Sequence, residues 1–347
     1  IAYTRTPDQA NIYCLDLGAL TSLLHFVGDS NETTLPHIPR EGGIISFSER
    51  ERIIRLLNYL NDQIRKREEI FHASKPPVNN LSEFNKKQKS RDEQLPEIFL
   101  MIDGLAKSMG EHIEQFCEKL DVILKNGPGA GIYVVITANQ PDDVHNKILA
   151  NFNSTEQILF LQPKSDQQIH SYLGSAASAS FKKKIELGEE IKPGRGLINS
   201  NPLLEFQVAL PAFFPGEDFL QRIIGVVQDM GRSWKGKRPA GIDTLHLNYE
   251  RQELFMDQYR PDETSNDTIL LGIDNESLKS VGISLENDGP IYQIVSESSK
   301  QGKTSIISNI LYQLVENFTF SDKNPLVVFG FPKHTLKTFS KHPGVKY

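Results

Sequence analysis

Cysteine is scarce in this chain, and its histidines are dispersed. The 347 residues include only two cysteines, Cys14 and Cys117, and both lie among apolar residues. Two such cysteines do not make a disulfide framework, so a reducing compartment is the expected environment. The nine histidines lack the spacing of metal ligands. The sequence therefore argues against a disulfide-stapled secreted domain and predicts no histidine metal site.

An excess of positive charge and long apolar runs are lacking as well. With 38 Lys and Arg against 44 Asp and Glu, the formal net charge is −6. That balance gives no sign of the basic surface by which proteins bind nucleic acid. The basic runs at residues 182–184 and 235–238 are short and are interpreted as solvated surface. The longest apolar stretch, residues 132–138, has the length of a strand, whereas a membrane span needs about 20 residues.

Most of the chain alternates between strand and helix patterns. A long helix is predicted at residues 49–71, where apolar residues such as Ile53, Leu57 and Leu60 recur at helical spacing. Strands are predicted at residues 11–17, 43–47, 97–102, 131–138, 157–162 and 204–210. Such alternation predicts an α/β fold whose mostly parallel sheets are covered by helices.

Two stretches interrupt this alternation. Residues 72–94 are rich in Lys, Asn and Ser and are interpreted as an exposed loop or lid. Residues 231–239 combine Gly, Pro and basic residues after a helix that ends near Met230, which favours a domain boundary. A second strand-loop-helix pattern begins near residue 269. We therefore predict one domain at residues 1–235 and the first part of another at 236–347, since the chain is long enough for two cores.

The second domain contains a candidate phosphate-binding loop. An apolar, strand-like run at residues 290–295 leads into Gly302-Lys303-Thr304-Ser305, and a helical pattern follows. Lys303 would reach the β- and γ-phosphates of ATP, and Thr304 would hold Mg²⁺. The bare motif also arises by chance in about one chain in five of this length, so a fortuitous loop is the alternative. The predicted nucleotide-binding residues are Glu297, Ser298, Ser299, Lys300, Gln301, Gly302, Lys303, Thr304 and Ser305.

One position departs from the pattern of a phosphate loop. A glycine is usual five residues before Gly302, and Glu297 stands there instead. Glycine lets the backbone close around phosphate, whereas glutamate adds bulk and a repelling carboxylate. We therefore expect a degenerate loop, which binds nucleotide weakly or uses it to hold the shape of the domain.

An acidic residue in the first domain complements this loop. An apolar run at residues 98–102 ends at Asp103, and open α/β sheets bind ligands at the carboxyl ends of their strands. Asp103 is therefore predicted to hold Mg²⁺, while Asn139 and Gln140 follow a later strand and could sense a γ-phosphate. An ordinary Asp-Gly turn is the alternative. No catalytic residue is assigned, because Gly104 adds no second polar group to orient a water molecule.

The two motifs occur in inverted order. Within one P-loop domain the phosphate loop precedes the acidic strand, whereas Asp103 precedes Lys303 in this chain. The simplest explanation is that the motifs belong to two successive modules. Asp103 would then serve a phosphate loop before residue 1, and Lys303 would need an acidic strand after residue 347. We therefore expect little or no ATP hydrolysis by the chain.

Several short motifs follow one another in a characteristic order. They are Thr6-Pro7-Asp8, Tyr13-Cys14-Leu15-Asp16, Leu35-Pro36-His37-Ile38, Arg65-Lys66-Arg67-Glu68, Phe84-Asn85, Pro193 to Leu197 and Trp234-Lys235-Gly236. This series resembles the FtsK/SpoIIIE-type motor ATPases, and most of all the coupling ATPases of type VII secretion, the EssC/EccC family. The resemblance extends over nearly the whole chain. It implies parts of the last two RecA-like modules, with ATP and Mg²⁺ as ligands.

The resemblance also implies a biological setting. The family works at the cytoplasmic face of the cell membrane, with its anchors outside this chain, and the resemblance implies a hexamer of the full protein. Small helical secreted proteins are its expected partners, together with other modules of the same polypeptide. Glu297 and Gly104 resemble the degenerate later modules rather than the leading catalytic one. We therefore expect a component of protein secretion that contributes to virulence.

Two alternatives remain open at this stage. A DNA translocase shares the fold and many of the motifs, but would be expected to carry basic DNA-facing loops and an intact acidic pair. A substrate-binding adaptor that uses nucleotide only as a structural ligand is the second alternative. The charge of −6 and Gly104 argue against the first, whereas the second overlaps with the secretion assignment.

Overall fold

Two units make up the chain, Ile1–Asp243 and Thr244–Tyr347. The structure, a computed structural model, describes residues 1–18, 23–105, 113–139, 143–152, 157–161, 170, 193–198, 204–209, 218–246, 248–260, 268–275, 277–284, 291–298, 300–329 and 334–346. The module boundary inferred from the sequence, between residues 235 and 236, stays a prediction. Within the described ranges no helix is long and apolar enough to cross a membrane.

The first unit contains a four-stranded sheet with the strand order β2-β1-β3-β4. The strands are β1 (Ala10–Asp16), β2 (Ile44–Ser46), β3 (Glu97–Asp103) and β4 (Ile132–Ile136). All neighbouring strands pair in parallel. The register of β1 and β3 places Ala10 opposite Glu97 and Asp16 opposite Asp103. The two central strands therefore end side by side, at the edge where α/β sheets bind ligands.

Helices cover both faces of this sheet. They are α1 (Arg50–Ala73), α2 (Leu81–Lys87), α3 (Ile113–Ala130), α4 (Asn146–Leu149) and α5 (Phe219–Ser233). Tyr13 and Leu15 of β1 lie in a core with α1 and α3. The alternate residues Ile12 and Cys14 lie in a second core, with Val227 of α5. Side chains of a strand point alternately to opposite faces, so the four consecutive apolar residues at positions 12–15 bury β1 on both sides.

Helix α1 owes its length to its apolar spacing and its end to proline. Ile53, Leu57, Leu60 and Ile64 recur at three- and four-residue intervals and are buried, which keeps one face of the helix on the sheet. The helix ends at Ala73, shortly before Pro76. Proline lacks an amide proton and restricts the preceding residue to extended conformations, so the helix cannot continue.

The prediction of an exposed loop at residues 72–94 is wrong. This segment contains helix α2, and Asn80 caps the helix by accepting a hydrogen bond from the Glu83 amide at 2.9 Å. Val78 and Leu81 are buried with Phe71 in a small core of their own. A few apolar residues spaced among many polar ones suffice to dock such a short helix, because the sheet and α1 already offer an apolar surface.

Three further strands form a separate antiparallel sheet. They are β5 (Leu159–Leu161), β6 (Arg195–Ile198) and β7 (Leu204–Gln207), in the order β5-β6-β7. The sequence predicted β5 and β7 as strands of a mostly parallel sheet and missed β6. That expectation was wrong in pairing, since both neighbours of β6 run antiparallel to it. The pairing partner of a strand is a long-range property that its own residues do not encode.

The segment after α5 belongs to the first unit. Ile242 is buried in the core beneath the parallel sheet, and its amide donates to the Glu41 carbonyl at 3.2 Å. The Tyr13 hydroxyl donates to the Ala240 carbonyl at 2.8 Å. Arg238 donates to the carbonyl of Asn31 at 2.5 Å. Because these contacts are with the first unit, the glycine- and proline-rich stretch is a docked segment rather than a loose linker.

The second unit is built around one helix and a hairpin. Its elements are β8 (Thr268–Ile273), β9 (Ser280–Ser284), α6 (Lys303–Asn317), β10 (Leu326–Val327) and β11 (Val345–Lys346). Strands β8 and β9 pair antiparallel, whereas β10 and β11 pair in parallel. Leu311 of α6 packs in a core with Val328 and Phe339. Helix α6 is therefore held by its middle, which leaves its first turn at the surface.

The strand expected at residues 290–295 is not formed. Pro290 lies outside the described residues, and the following residues have no strand pairing. Ile291 is 87% exposed and Val295 is 75% exposed. Apolar β-branched residues favour a strand only where a neighbouring strand and a packed face are present. In the described part of the second unit no such neighbour lies beside them, so the prediction was wrong for this structure.

Candidate functional site

The first candidate site lies at the carboxyl ends of β3 and β4. Asp103 is the last residue of β3. The Thr137 hydroxyl, one residue beyond β4, donates a hydrogen bond to Asp103 Oδ1 at 2.6 Å. The same hydroxyl oxygen accepts a hydrogen bond from the Gly104 amide at 2.9 Å. Thr137 thus fixes the carboxylate and the turn behind it, and the sequence pointed to this strand end through Asn139 rather than through Thr137.

A second carboxylate stands next to Asp103. Asp16 is its register partner on β1, and only 1% of Asp16 is exposed. Cys14 lies two residues earlier on the same face, and its pKa is raised to about 12, chiefly by burial and further by Asp16 and Asp103. The strand ends therefore form an electronegative corner. Carboxylate and hydroxyl oxygens are ligands that Mg²⁺ prefers, so this oxygen set fits the predicted ion.

Gly104 explains why the acidic pair of an active module is absent. Its φ is +73°, in the left-handed region. A Cβ atom at this position would lie 2.7 Å from the Gly18 Cα atom and 2.8 Å from the Gly18 amide nitrogen. Any side chain would therefore meet backbone that cannot move aside easily. A glutamate at position 104 does not fit this turn, and Asp103 is left without an adjacent acidic residue in the sequence.

Asn139 is the other predicted residue of this site that the structure describes. It is exposed and lies two residues beyond Thr137, the residue whose hydroxyl donates to the Asp103 carboxylate. Gln140 lies outside the described residues. Over the described ranges, no group of three or more His, Cys, Asp or Glu side chains is arranged to hold a metal ion.

The second candidate site is the loop before α6. Gly302 is the N-cap of the helix, with φ at +85°, and Lys300 also has a positive φ of 64°. The Lys303 ammonium group folds back and donates to the Ser298 carbonyl at 2.8 Å and to the Ser296 hydroxyl. The Ser296 hydroxyl in turn donates to the Ser298 carbonyl at 2.9 Å. The loop therefore curls around the lysine, and Ser296 is a residue that sequence reasoning missed.

The first turn of α6 is suited to an anion. The first helical hydrogen bond runs from the Ile306 amide to the Gly302 carbonyl at 3.0 Å. The amides of residues 303–305 precede it, and the N-cap glycine has no side chain to accept from them. Thr304 and Ser305 are exposed on this turn. Amide donors, the positive end of the helix dipole and the Lys303 charge together favour a phosphate group.

Glu297 enters this loop as an exposed residue, between Ser296 and Ser298. Its carboxylate adds negative charge at the position where a phosphate loop usually has glycine. Ser299 lies outside the described residues. Of the nine predicted nucleotide-binding residues, the other eight are described, and they form the loop and the first helical turn. Asp103 lies in the first unit and Lys303 in the second, as the inverted motif order predicts.

Helix α6 is fixed to β8 by a buried amide. Gln313 is 1% exposed. Its side chain accepts from the Leu270 amide at 2.8 Å and donates to the Leu270 carbonyl at 2.7 Å. Asn309 donates to the same carbonyl at 2.9 Å. One glutamine thus satisfies both backbone groups on the outer edge of β8, as a neighbouring strand would, and fixes the helix that begins with Lys303.

Known proteins resemble the chain in sequence. No model of a protein family matches it. The type VII secretion system protein EssC of Staphylococcus aureus (strain MRSA252) is 21% identical over 316 residues, which cover 89% of this chain and 19% of the relative. The ESX secretion system protein EccC of Geobacillus thermodenitrificans (strain NG80-2) is 22% identical over 315 residues, with 89% and 19% covered. The chain therefore spans less than a fifth of the length of these relatives.

Solved structures resemble it in fold. EssC (ATPases 2 and 3) from Geobacillus thermodenitrificans superposes with a TM-score of 0.70 at 19% identity, covering 100% of this chain and 60% of that one. Thermomonospora curvata EccC (ATPases 2 and 3), in complex with a signal sequence peptide, gives a TM-score of 0.69 at 18% identity, with 99% and 57% covered. The predicted fold class is confirmed: the chain has the α/β fold of tandem RecA-like ATPase modules. Within that class, it resembles the EssC/EccC proteins of type VII secretion, as its motif series predicts.

Proposed function

We propose that the chain is an ATP-binding part of the coupling ATPase of a type VII secretion system. The observation that carries this proposal is the loop around Lys303, where an ammonium group, helix amides and Thr304 are close together at the start of α6. Sequence similarity to EssC and EccC over 89% of the chain supports the secretion context. ATP and Mg²⁺ are the proposed ligands.

The proposed roles at the loop follow from its chemistry. Lys303 would leave the Ser298 carbonyl and reach the β- and γ-phosphates of ATP. The amides of the first turn of α6 would donate to phosphate oxygens, and Thr304 would supply a hydroxyl ligand for the magnesium ion. Glu297 would weaken the site by charge repulsion. We therefore propose a nucleotide that stabilises its module, with weak hydrolysis or none.

The corner at Asp103 is proposed to belong to a second nucleotide site. Asp103 and its neighbour Asp16 would attract the magnesium ion of a nucleotide, and Thr137 would hold the Asp103 carboxylate in place. Asn139 and Gln140 remain proposed sensors of a γ-phosphate. Hydrolysis at this corner would be slow, because the turn at Gly104 excludes a second acid there and no other group has been assigned to orient water.

The proposed partners are proteins rather than nucleic acid. The net charge of −6 provides no broad basic surface for a duplex. The relative from Thermomonospora curvata was solved with a signal sequence peptide, which supports binding of a secreted protein through its signal segment. Small helical secreted proteins are the cargo that we propose. We also propose that the chain works beside other modules of its polypeptide, at the cytoplasmic face of the membrane, in a homo-oligomer such as a hexamer.

Thermal melting of the full chain with and without Mg-ATP tests the nucleotide proposal. A ligand at a hundredfold excess over its Kd stabilises by about 2.7 kcal/mol, which raises the Tm of a domain of about 100 residues by about 10 °C. Lys303→Met should abolish the shift and leave the ligand-free Tm almost unchanged, because Lys303 is partly exposed. Equal shifts for both proteins would contradict the assignment.

Two further assays separate the alternatives. Turnover that is abolished by Lys303→Met and lies in the usual enzymatic range of about 1–10³ s⁻¹ would contradict weak hydrolysis. Duplex DNA binding that falls steeply with salt would favour a DNA translocase. Saturable binding of the C-terminal segment of a small helical secreted protein, with no duplex binding, is the result expected for the secretion component or for a non-catalytic adaptor.

A further inference from the structure

The ammonium group of Lys303 already has two partners within its own loop. It donates to the Ser298 carbonyl at 2.8 Å and to the Ser296 hydroxyl. Lys303 is partly buried, whereas Ser298 and Gln301 are exposed. An ammonium has three donors, so two of them are directed into the loop before any phosphate arrives. A phosphate that uses the same lysine must compete with these two oxygens.

The orientation of the Ser296 hydroxyl is set by a second contact. A serine hydroxyl has one proton and two lone pairs. Here the proton is donated to the Ser298 carbonyl at 2.9 Å, so a lone pair faces Lys303 as an acceptor. To donate to a phosphate oxygen instead, the hydroxyl would have to leave the Ser298 carbonyl. In this arrangement Ser296 binds the lysine and offers nothing to an anion.

We propose that Ser296 is a positioning residue that holds Lys303 in a resting position and thereby lowers the affinity of the loop for phosphate groups. Ser296 precedes Glu297, the first residue of the predicted phosphate loop, and the proposal rests on the nucleotide-binding function proposed for that loop. The ligand class is the polyphosphate of a nucleoside triphosphate. Removing the hydroxyl makes the resting state of the lysine less stable and leaves the phosphate-bound state untouched, so affinity rises.

The test compares four single substitutions in the full chain, one of which, Lys303→Met, serves as the reference for lost binding. Binding of Mg-ATP and of inorganic tripolyphosphate is measured by titration calorimetry. Ser296→Ala should bind both ligands about fivefold more tightly than the wild type, the change expected from losing about one hydrogen bond of the free state. Ser298→Ala is the matched control and should stay within about twofold, because its backbone carbonyl remains for Lys303. Ser296→Thr keeps a hydroxyl and should retain the wild-type affinity.

The outcomes distinguish the proposed role of Ser296 from the nucleotide-binding function on which it rests. In one outcome, Ser296→Ala binds as the wild type does, or more weakly, while Lys303→Met abolishes binding. The loop then binds nucleotide, but the contact between Ser296 and Lys303 does not lower its affinity, and the proposal for Ser296 is wrong. Tighter binding by Ser296→Ala supports the contact, also where the wild type shows no measurable heat. If wild type and Ser296→Ala both fail to bind either ligand, both proposals are wrong. Tighter binding of Mg-ATP alone would place the effect outside the phosphate contacts and would overturn the proposal.

Discussion

Replacing Gly104 tests whether the backbone geometry of this turn prevents a second acidic residue from following Asp103 in the first unit. The substitutions are Gly104→Ala and Gly104→Glu, the latter restoring the residue expected in an active module. Gly104 has φ at +73°, and a Cβ atom there would lie 2.7 Å from the Gly18 Cα atom. Both changes therefore force either a rotation of the turn or a displacement of Gly18.

The magnitude follows from two terms. An L-residue in the left-handed region costs about 1–2 kcal/mol, and steric overlap with backbone costs about 1–3 kcal/mol more. The sum, about 2–5 kcal/mol, is a large share of the roughly 5–15 kcal/mol that stabilises a typical domain. Gly225 is the matched control, since a Cβ there meets nothing within 4 Å. Gly225→Ala lies inside α5 and should stabilise by about 0.5–1 kcal/mol.

Urea unfolding followed by tryptophan fluorescence measures both effects. The chain has one tryptophan, Trp234, and it lies in the first unit, so the signal reports that unit. With a slope of about 1–3 kcal/mol per molar urea, Gly104→Ala should lower the midpoint by about 1 M or more. Gly104→Glu should unfold at least as early and gain no ATPase activity. A midpoint for Gly104→Ala within experimental error of the wild type would refute the steric argument.

Three further predictions concern buried groups. Gln313→Leu should lower the unfolding free energy of the second unit by about 1–3 kcal/mol in calorimetry, because the Leu270 amide loses its acceptor while the Leu270 carbonyl keeps only the donor from Asn309. A change below about 0.5 kcal/mol would contradict the contact. Ile242→Ala should destabilise the first unit by about 2–5 kcal/mol, whereas a loosely attached segment would give no change in the Trp234 transition. Burial raises the pKa of the Cys14 thiol to about 12 and also raises that of Cys117. Both thiols should therefore resist a thiolate-directed reagent at pH 8 until the chain is denatured, and rapid labelling of the folded chain would contradict their burial.

Local pattern determined much of the first unit. The apolar run at residues 12–15 indicated strand β1, and α1 was evident from its helical spacing. The motif Gly302-Lys303-Thr304 lies at the start of a helix, as its pattern predicts. These features depend on residues close together in sequence. Their physical causes, side-chain period and helix-start chemistry, act over a few residues and can be deduced without the fold.

The pairing of strands and the packing of segments that are distant in sequence were decided by the tertiary structure alone. Strand β6 was missed and β5 and β7 were assigned to a parallel sheet, because pairing depends on which segments meet. Residues 291–295 have strand composition, but no strand in the described part of the chain pairs with them. Residues 72–94 contain enough apolar side chains to dock a helix on an existing surface.

The candidate site divides in the same way. Sequence identified Asp103, Lys303 and Glu297 as residues of interest, since each stands at a fixed offset in a motif. It could not show that Asp16 lies beside Asp103, that Thr137 holds this carboxylate, or that Ser296 binds Lys303. The sequence also showed that Gly104 stands where an active module has a second acidic residue, but it did not show why. That reason is a backbone approach between Gly104 and Gly18, 86 positions apart in the chain, and only the folding of β1 against β3 brings the two together.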